Sequence, residues 1–229
     1  MTMRKTGALF SIFLVGAVPL VLSGCKCLTT VHAQSRANTG DSGTVSIHKM
    51  GGEIEVKDAP HGATLNTMGG DIHIGSVSEF AKVNTMGGNV MIDHANGPVD
   101  AATMGGSITV KDATGHIHAS TMAGDITARM VGSSSGGRDV HLSSKSGTIT
   151  LIVPKDFSME VRIQLAFTKN AGRTFDVIDH IGLTKRESAD WDTSSSTPRK
   201  YIYAEGQVGS GQNHVEIDTI NGDVILKQE

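Results

Sequence analysis

The sequence predicts an all-β, single-domain solenoid, β-helix-like with 18-residue coils, behind an N-terminal signal segment. Three observations predict it. Met50-Gly51-Gly52, Met68-Gly69-Gly70, Met86-Gly87-Gly88, Met104-Gly105-Gly106 and Met122-Ala123-Gly124 begin 18 residues apart each time, and a fixed period near 20 marks stacked repeat units. Each copy carries the period-2 alternation of a half-buried strand rather than the 3.6 period of a helix. Only 4% of residues are aromatic while 28 of 229 are Gly, which suits a thin stacked core better than a broad globular one.

The leader comes first. Arg4 and Lys5 precede an apolar run from Ala8 to Leu22 that is short for a membrane span, and Leu22-Ser23-Gly24-Cys25 follows. This is the plan of an exported-protein leader. It resembles the bacterial lipobox, which implies cleavage after residue 24 and lipidation of Cys25. Val31-His32-Ala33 offers a rival site for ordinary signal peptidase. Residues 1–24 are therefore assigned to a lipoprotein-type signal peptide and 25–43 to a flexible spacer rich in Ser, Asn and Gly. The two cysteines, Cys25 and Cys27, both lie near the cleavage region. The body is expected to hold together by stacking and hydrogen bonding, without disulfides.

The solenoid domain is placed at 44–229, with regular coils over 44–131. Thr44-Val45-Ser46-Ile47 leads into the first Met-Gly-Gly. In each coil one strand carries Ile54/Val56, Ile72/Ile74, Val90/Ile92, Ile108/Val110 or Ile126/Ala128 on its inner face. A second strand carries Ala63/Leu65, Ala81/Val83, Val99/Ala101 or Ile117/Ala119. One bend is the Gly-Gly pair, which predicts structural corners at Gly52, Gly70, Gly88, Gly106, Gly124 and Gly222, either at positive φ or in tight packing. Gly88→Val is expected to cost on the order of 1–3 kcal/mol through backbone strain. The other bend, at Asp58-Ala59-Pro60-His61-Gly62 and its equivalents, is expected to be looser. Stacking would align Thr67, Thr85, Thr103 and Thr121 into one ladder and Asn66 with Asn84 in another. The five methionines would form a third, filling space at the corner, with a Met-rich metal or membrane face as the functional alternative.

Residues 132–229 are read as irregular coils and a cap. Gly132-Ser133-Ser134-Ser135-Gly136-Gly137 interrupts the period as a solvent loop. A weaker copy resumes from Val140 to Leu151, Met159–Leu165 alternates as a longer strand, and residues 182–200 read as a long loop. Val215 to Leu226 returns to the motif with Asn221-Gly222 at the corner. Such atypical end repeats suit the capping that a solenoid needs.

The phrases Leu65-Asn66-Thr67-Met68-Gly69-Gly70-Asp71-Ile72, Ala119-Ser120-Thr121-Met122-Ala123-Gly124-Asp125-Ile126 and Ile217-Asp218-Thr219-Ile220-Asn221-Gly222-Asp223-Val224 carry a resemblance. Over about residues 44–228 the chain resembles the bacterial "putative adhesin" family of exported or membrane-attached β-solenoid domains of unknown function. The resemblance implies an envelope or surface domain and brings no catalytic residues with it.

Chemistry-bearing residues are scattered. His61, His73, His94 and His116 occupy four different repeat positions, and only His116 and His118 share a strand face, a pair that could contribute to a weak metal site. Glu53, Asp71 and Asp125 share a corner, but Asn89 and Ser107 interrupt any calcium row. Turn chemistry accounts for them better. The exposed strand positions Glu55, His73, Met91, Thr109 and Thr127 offer no acid pair for glycoside cleavage. Trp191, Tyr201 and Tyr203 hold most of the ring area, for sugar stacking or for a cap. The formal charge of −3, without a basic cluster beyond the leader, gives nucleic-acid binding little support.

The expected function is a non-catalytic cell-envelope surface module, an adhesin-like structural or interaction protein, with no catalytic residues, cofactor or metal assigned. Its expected partners are a membrane, through the lipid anchor, and a protein or glycan at the cell surface. The alternatives are a polysaccharide-binding or polysaccharide-cleaving β-helix, and an envelope-stress accessory or sensor protein.

Overall fold

The computed structural model describes residues 38–39, 43–132, 136–194 and 196–229. The predicted signal peptide, Cys25, Cys27, Val31-His32-Ala33 and most of the spacer lie outside the described residues, as do Ser133, Ser134, Ser135 and Ser195. Among the described residues, no helix is long and apolar enough to cross a membrane.

Within the stretch read as a spacer, β1 (Asn38–Thr39) pairs antiparallel with β2 (Val45–Lys49). From there the chain alternates between two sheets. The strands are β3 (Ile54–Ala59), β4 (Ala63–Thr67), β5 (Ile72–Val77), β6 (Ala81–Thr85), β7 (Val90–Ala95), β8 (Val99–Thr103), β9 (Ile108–Ala113), β10 (Ile117–Thr121) and β11 (Ile126–Met130). Even-numbered members pair in parallel in one sheet and odd-numbered members in the other. Partners in adjacent regular coils differ by 18, as in Ala63 with Ala81 and Ile72 with Val90. The predicted solenoid is therefore present, two strands and two bends to a coil.

One extra residue shapes the odd-numbered strands. In β3 the buried positions are Ile54, Val56 and Ala59, so Lys57 and Asp58 both face outwards. The equivalents Val77, Ala95 and Ala113 are likewise buried. The sequence reading assigned Ala59 and Ala113 to a loose bend. They instead close the strand, because two consecutive outward residues reset the alternation in each of these coils while the 18-residue register is kept. Two consecutive outward positions then place Asp93 and His94 directly beside Lys111 and Asp112 of the next coil, with Lys111 Nζ 2.7 Å from Asp93 Oδ1 and His94 Nδ1 3.1 Å from Asp112 Oδ2. Lys111 first, and His73 second, hold the Asp93 carboxyl below the usual carboxylate range.

The period lengthens once, where Ile117 pairs with Val140 of β12 (Asp139–Ser144) and Ile126 with Ile149 of β13 (Ile149–Val153). The chain then passes over one coil position, so that the next two strands stack in parallel on strands that come later in the sequence. It forms β14 (Met159–Thr168), β15 (Val177–Asp179), β16 (Thr184–Glu187) and β17 (Arg199–Val208), and returns through β18 (Asn213–Ile220) and β19 (Val224–Gln228). The return coil sits directly on the coil of β12 and β13, with Val140 opposite Val215 and Ile149 opposite Val224. The final motif is thus interior to the larger sheet. The end is closed by the excursion, where β14 and β17 form an antiparallel pair beyond β18, and β16 is the edge. Part of the stretch read as a loop, Thr184–Glu187, is that edge strand. Buried Asn213 fixes the return. Its Oδ1 accepts from Arg138 N at 3.0 Å and its Nδ2 donates to Ser158 O at 2.6 Å.

Inner faces of both sheets form one apolar core that runs from Val45 to Leu226. Ile72, Ile74, Val90, Ile92, Ile108 and Val110 are all buried, as the alternation required. Phe157 in the excursion is the largest fully buried side chain.

Candidate functional site

The corners explain the repeated phrase. A Cβ built at Gly88 would lie 1.9 Å from Gly70 O, and one at Gly106 would lie 2.0 Å from Gly88 O. The same contact recurs at Gly70, Gly124, Gly147 and Gly222, each on the corner glycine of the coil beneath. Of the predicted corners, Gly52 (φ 87°), Gly70 (φ 152°) and Gly124 (φ 156°) have positive φ, whereas Gly88, Gly106 and Gly222 do not. For these three the requirement is close approach of backbone to backbone, not left-handed conformation. The preceding glycine is under no such pressure. Nothing lies within 4 Å of a Cβ at Gly69 or Gly87, and Ala123 and Ser146 occupy that position in later coils.

Threonine locks each corner to its neighbour. Thr103 Oγ1 accepts from Gly106 N at 3.2 Å and donates to Gly88 O at 2.9 Å. Thr85, Thr121, Ser144 and Thr219 make the equivalent donation to Gly70, Gly106, Gly124 and Gly147. A buried hydroxyl with both roles filled satisfies two backbone groups that the corner would otherwise strand. Asn84 Nδ2 also donates to Asn66 Oδ1 at 3.1 Å, the second expected ladder.

The acidic corner positions have a structural role of the same kind. Asp71 Oδ1 accepts from Asn89 N at 2.7 Å, Asn89 Oδ1 from Ser107 N at 2.9 Å, and Asp125 Oδ1 from Thr148 N at 2.7 Å. Each side chain receives the backbone N–H of the next coil. Any short acceptor serves, which is why Asn and Ser alternate with Asp.

The methionines differ from the expectation. Met50, Met68, Met86, Met104 and Met122 are 45–82% exposed. The corner is already filled by glycine-on-glycine contact, so no space remains for a long side chain to occupy. They project instead as a thioether column along one edge. At its first end His48, Lys49 and three of the methionines line a shallow depression.

The outer face of the larger sheet carries the densest group of potential ligands. Register places His118 beside His141, and His141 beside Glu216. The two imidazoles meet edge-on at 4.9 Å between centroids, and His141 Nδ1 stands 3.3 Å from Glu216 Oε2. Asp218, two residues on along the same face of β18, completes a group in which His141, Glu216 and Asp218 each offer a ligand atom within 4.8 Å of the others. Burial, and then repulsion from Glu216, push the Asp218 carboxyl above its ordinary value, against a smaller pull from His141. Sequence reasoning singled out His116 with His118. The structure gives His116 to Asp139 at 3.4 Å and His118 to His141. His141, Glu216 and Asp218 were missed because 75 residues separate the first two. The available signal was the alignment of Val140-His141-Leu142 with Val215-Glu216-Ile217.

The aromatic residues are engaged within the cap. Trp191 packs edge-on against Phe167 at 5.8 Å, with Lys200 Nζ 5.9 Å from its ring centre. Tyr201 and Tyr203 stack at 5.9 Å, and Tyr201 donates to Asp192 Oδ2 at 3.2 Å. Beside them Tyr201, Gln164, Asp218, Lys145 and Arg199 border a shallow depression of about 320 Å³.

Among solved structures the chain is similar to a "putative cell adhesion protein" from Clostridium sporogenes ATCC 15579. The identity is 12%, covering 80% of this chain and 92% of that one, with a TM-score of 0.36. No curated protein matches. The family model described as Toastrack DUF4097 matches residues 37–168, more than half of the 229. With its recurring corner phrases and stacked parallel coils, the chain belongs to the Toastrack DUF4097 family, a family of unknown function that fits the adhesin-type resemblance of its sequence.

Proposed function

We propose that the protein is a non-catalytic cell-envelope module, exported, held at a membrane through a lipid on Cys25, and adhesin-like in presenting its solenoid to a protein or glycan at the cell surface. One observation carries the reading. Within the larger sheet eight strands, from β2 to β14, pair in parallel in continuous register, which at ~4.8 Å between strands gives a side-chain-covered face about 34 Å long. Parallel coils hold that face by hydrogen bonds and close packing, so its side chains stand at fixed intervals. Such a surface suits an extended partner that is recognised at many shallow points. The Leu22-Ser23-Gly24-Cys25 run and the stretch that follows it supply the tether. A single acyl chain gives marginal, reversible attachment, so a diacylated Cys25 is the form that would anchor stably.

The test has two arms. Labelled palmitate should enter the wild-type chain and not a Cys25→Ser variant, and the wild type should fractionate with membranes. A soluble, unmodified mature chain that begins at Gln34 would remove the anchor. In the second arm, beads coated with the protein should bind isolated envelope material. Reversing charges on the large face, as in Lys82→Glu with Asp100→Lys, should weaken that binding. Undiminished binding by this variant would remove the face as the contact surface.

A further inference from the structure

We propose that His141, Glu216 and Asp218 form a binding site for a divalent transition-metal ion of the Zn²⁺ type on the outer face of the larger sheet, with solvent completing the coordination. The geometry is set by strand register. β12 and β18 are hydrogen-bonded neighbours, His141 lies directly opposite Glu216, and Asp218 follows two residues later on the same face. One ligand atom from each of the three lies within 4.8 Å of the others. Tetrahedral Zn²⁺ with bonds of about 2.0–2.1 Å needs its ligands roughly 3.3 Å apart. The closest pair, His141 Nδ1 and Glu216 Oε2, already stands at 3.3 Å. The remaining closure is within the reach of side-chain rotation, because Glu216 is exposed and His141 and Asp218 are only half-buried.

The donor set selects the metal class. An imidazole nitrogen with two carboxylates suits Zn²⁺ and its neighbours, whereas Ca²⁺ and Mg²⁺ prefer oxygen throughout. The charge also fits, since two carboxylates and one neutral imidazole present −2 to a dication. Arg162, which pairs in register with Glu216 from the other side, gives its guanidinium to Glu160 at 3.1 Å and leaves Glu216 to His141. No described residue donates a hydrogen bond to the Asp218 carboxylate, which lies on the same face of β18 as Glu216. The competing account is a plain His141–Glu216 ion pair, which leaves Asp218 without a role.

The test uses the purified full chain with Cys25→Ser and Cys27→Ser, which removes both thiols. Titration with CoCl₂ should give visible ligand-field bands of tetrahedral intensity, and ZnCl₂ should displace them at a single equivalent. ZnCl₂ should also raise the melting temperature. Both effects should be lost in His141→Ala and in Asp218→Asn, and retained in His61→Ala and His94→Ala, whose imidazoles face Glu79 and Asp112. CaCl₂ should produce no comparable shift. Absence of binding, retention of the bands in both His141→Ala and Asp218→Asn, or equal stabilisation by Ca²⁺ would overturn the proposal.

Discussion

Replacing Gly88 with Ala would put a methyl carbon 1.9 Å from Gly70 O and 2.7 Å from Asp71 N. Carbon–oxygen contact becomes ordinary near 3.4 Å, so the two coils must part locally by about 1.5 Å. Three hydrogen bonds cross this gap. Thr85 Oγ1 donates to Gly70 O at 3.1 Å, Asn89 N donates to Asp71 Oδ1 at 2.7 Å, and Ile72 N donates to Asn89 O at 2.8 Å. At roughly 0.5–1.5 kcal/mol for each bond, the expected destabilisation is about 2–4 kcal/mol. For a chain of this size that lowers the melting temperature by roughly 4–16 °C. The matched control is Gly87→Ala. Its methyl meets nothing within 4 Å and its φ is not positive. Restricting the unfolded chain should make that variant neutral or more stable by about 0.4–1 kcal/mol. Thermal unfolding followed by circular dichroism measures both. Equal losses in the two variants, or an unchanged melting temperature for Gly88→Ala, would refute the contact argument.

Other predictions follow from the same geometry. Ile108→Ala opens a cavity in the middle of the apolar stack, where Ile108 is fully buried, and should cost roughly 2–5 kcal/mol in chemical denaturation. Thr103→Val keeps the shape but leaves Gly106 N and Gly88 O without their partner, for a loss of about 1–3 kcal/mol by the same assay. Asp218 binds its proton more tightly in the native state than in the unfolded chain, so its contribution to stability falls as pH rises through the ordinary carboxylate value towards the raised native one. In the presence of a chelator, Asp218→Asn should therefore melt above the wild type at neutral pH, and the gap should close in acid. Brief treatment with hydrogen peroxide should oxidise Met50, Met68, Met86, Met104 and Met122 before buried Met130 and Met159, as read by peptide mass spectrometry.

The coil architecture was legible because period and alternation are local properties that survive without any knowledge of partners. Ile72, Ile74, Val90 and Ile92 announce their inner face by spacing alone. Ala59, Val77, Ala95 and Ala113 escaped because two consecutive outward residues shift them out of alternation, and their small or unremarkable side chains look like turn residues. The methionine column was visible, but its direction was not. The corner space that a methionine would fill is consumed by backbone contact, which sequence alone does not display. Least legible was the grouping of His141 with Glu216 and Asp218. It depends on the chain skipping a coil position after Val153 and filling it from Asn213 onwards, a long-range choice that no local pattern encodes.

Constant register makes the protein a ruler with discrete divisions. Each regular coil lays its glycine, threonine and apolar residues on those of the coil beneath, so the body can change length only in whole steps. Removing residues 69–86 joins Met68 to Gly87, brings Gly88 over Gly52 and shortens the stack by about one strand spacing of 4.8 Å, with the faces of every later coil unchanged. Removing one residue fewer turns each inward side chain of the next strand to the solvent. The length of the surface is therefore counted in coils, and gene duplication or loss of a single 18-residue unit is enough to reset it.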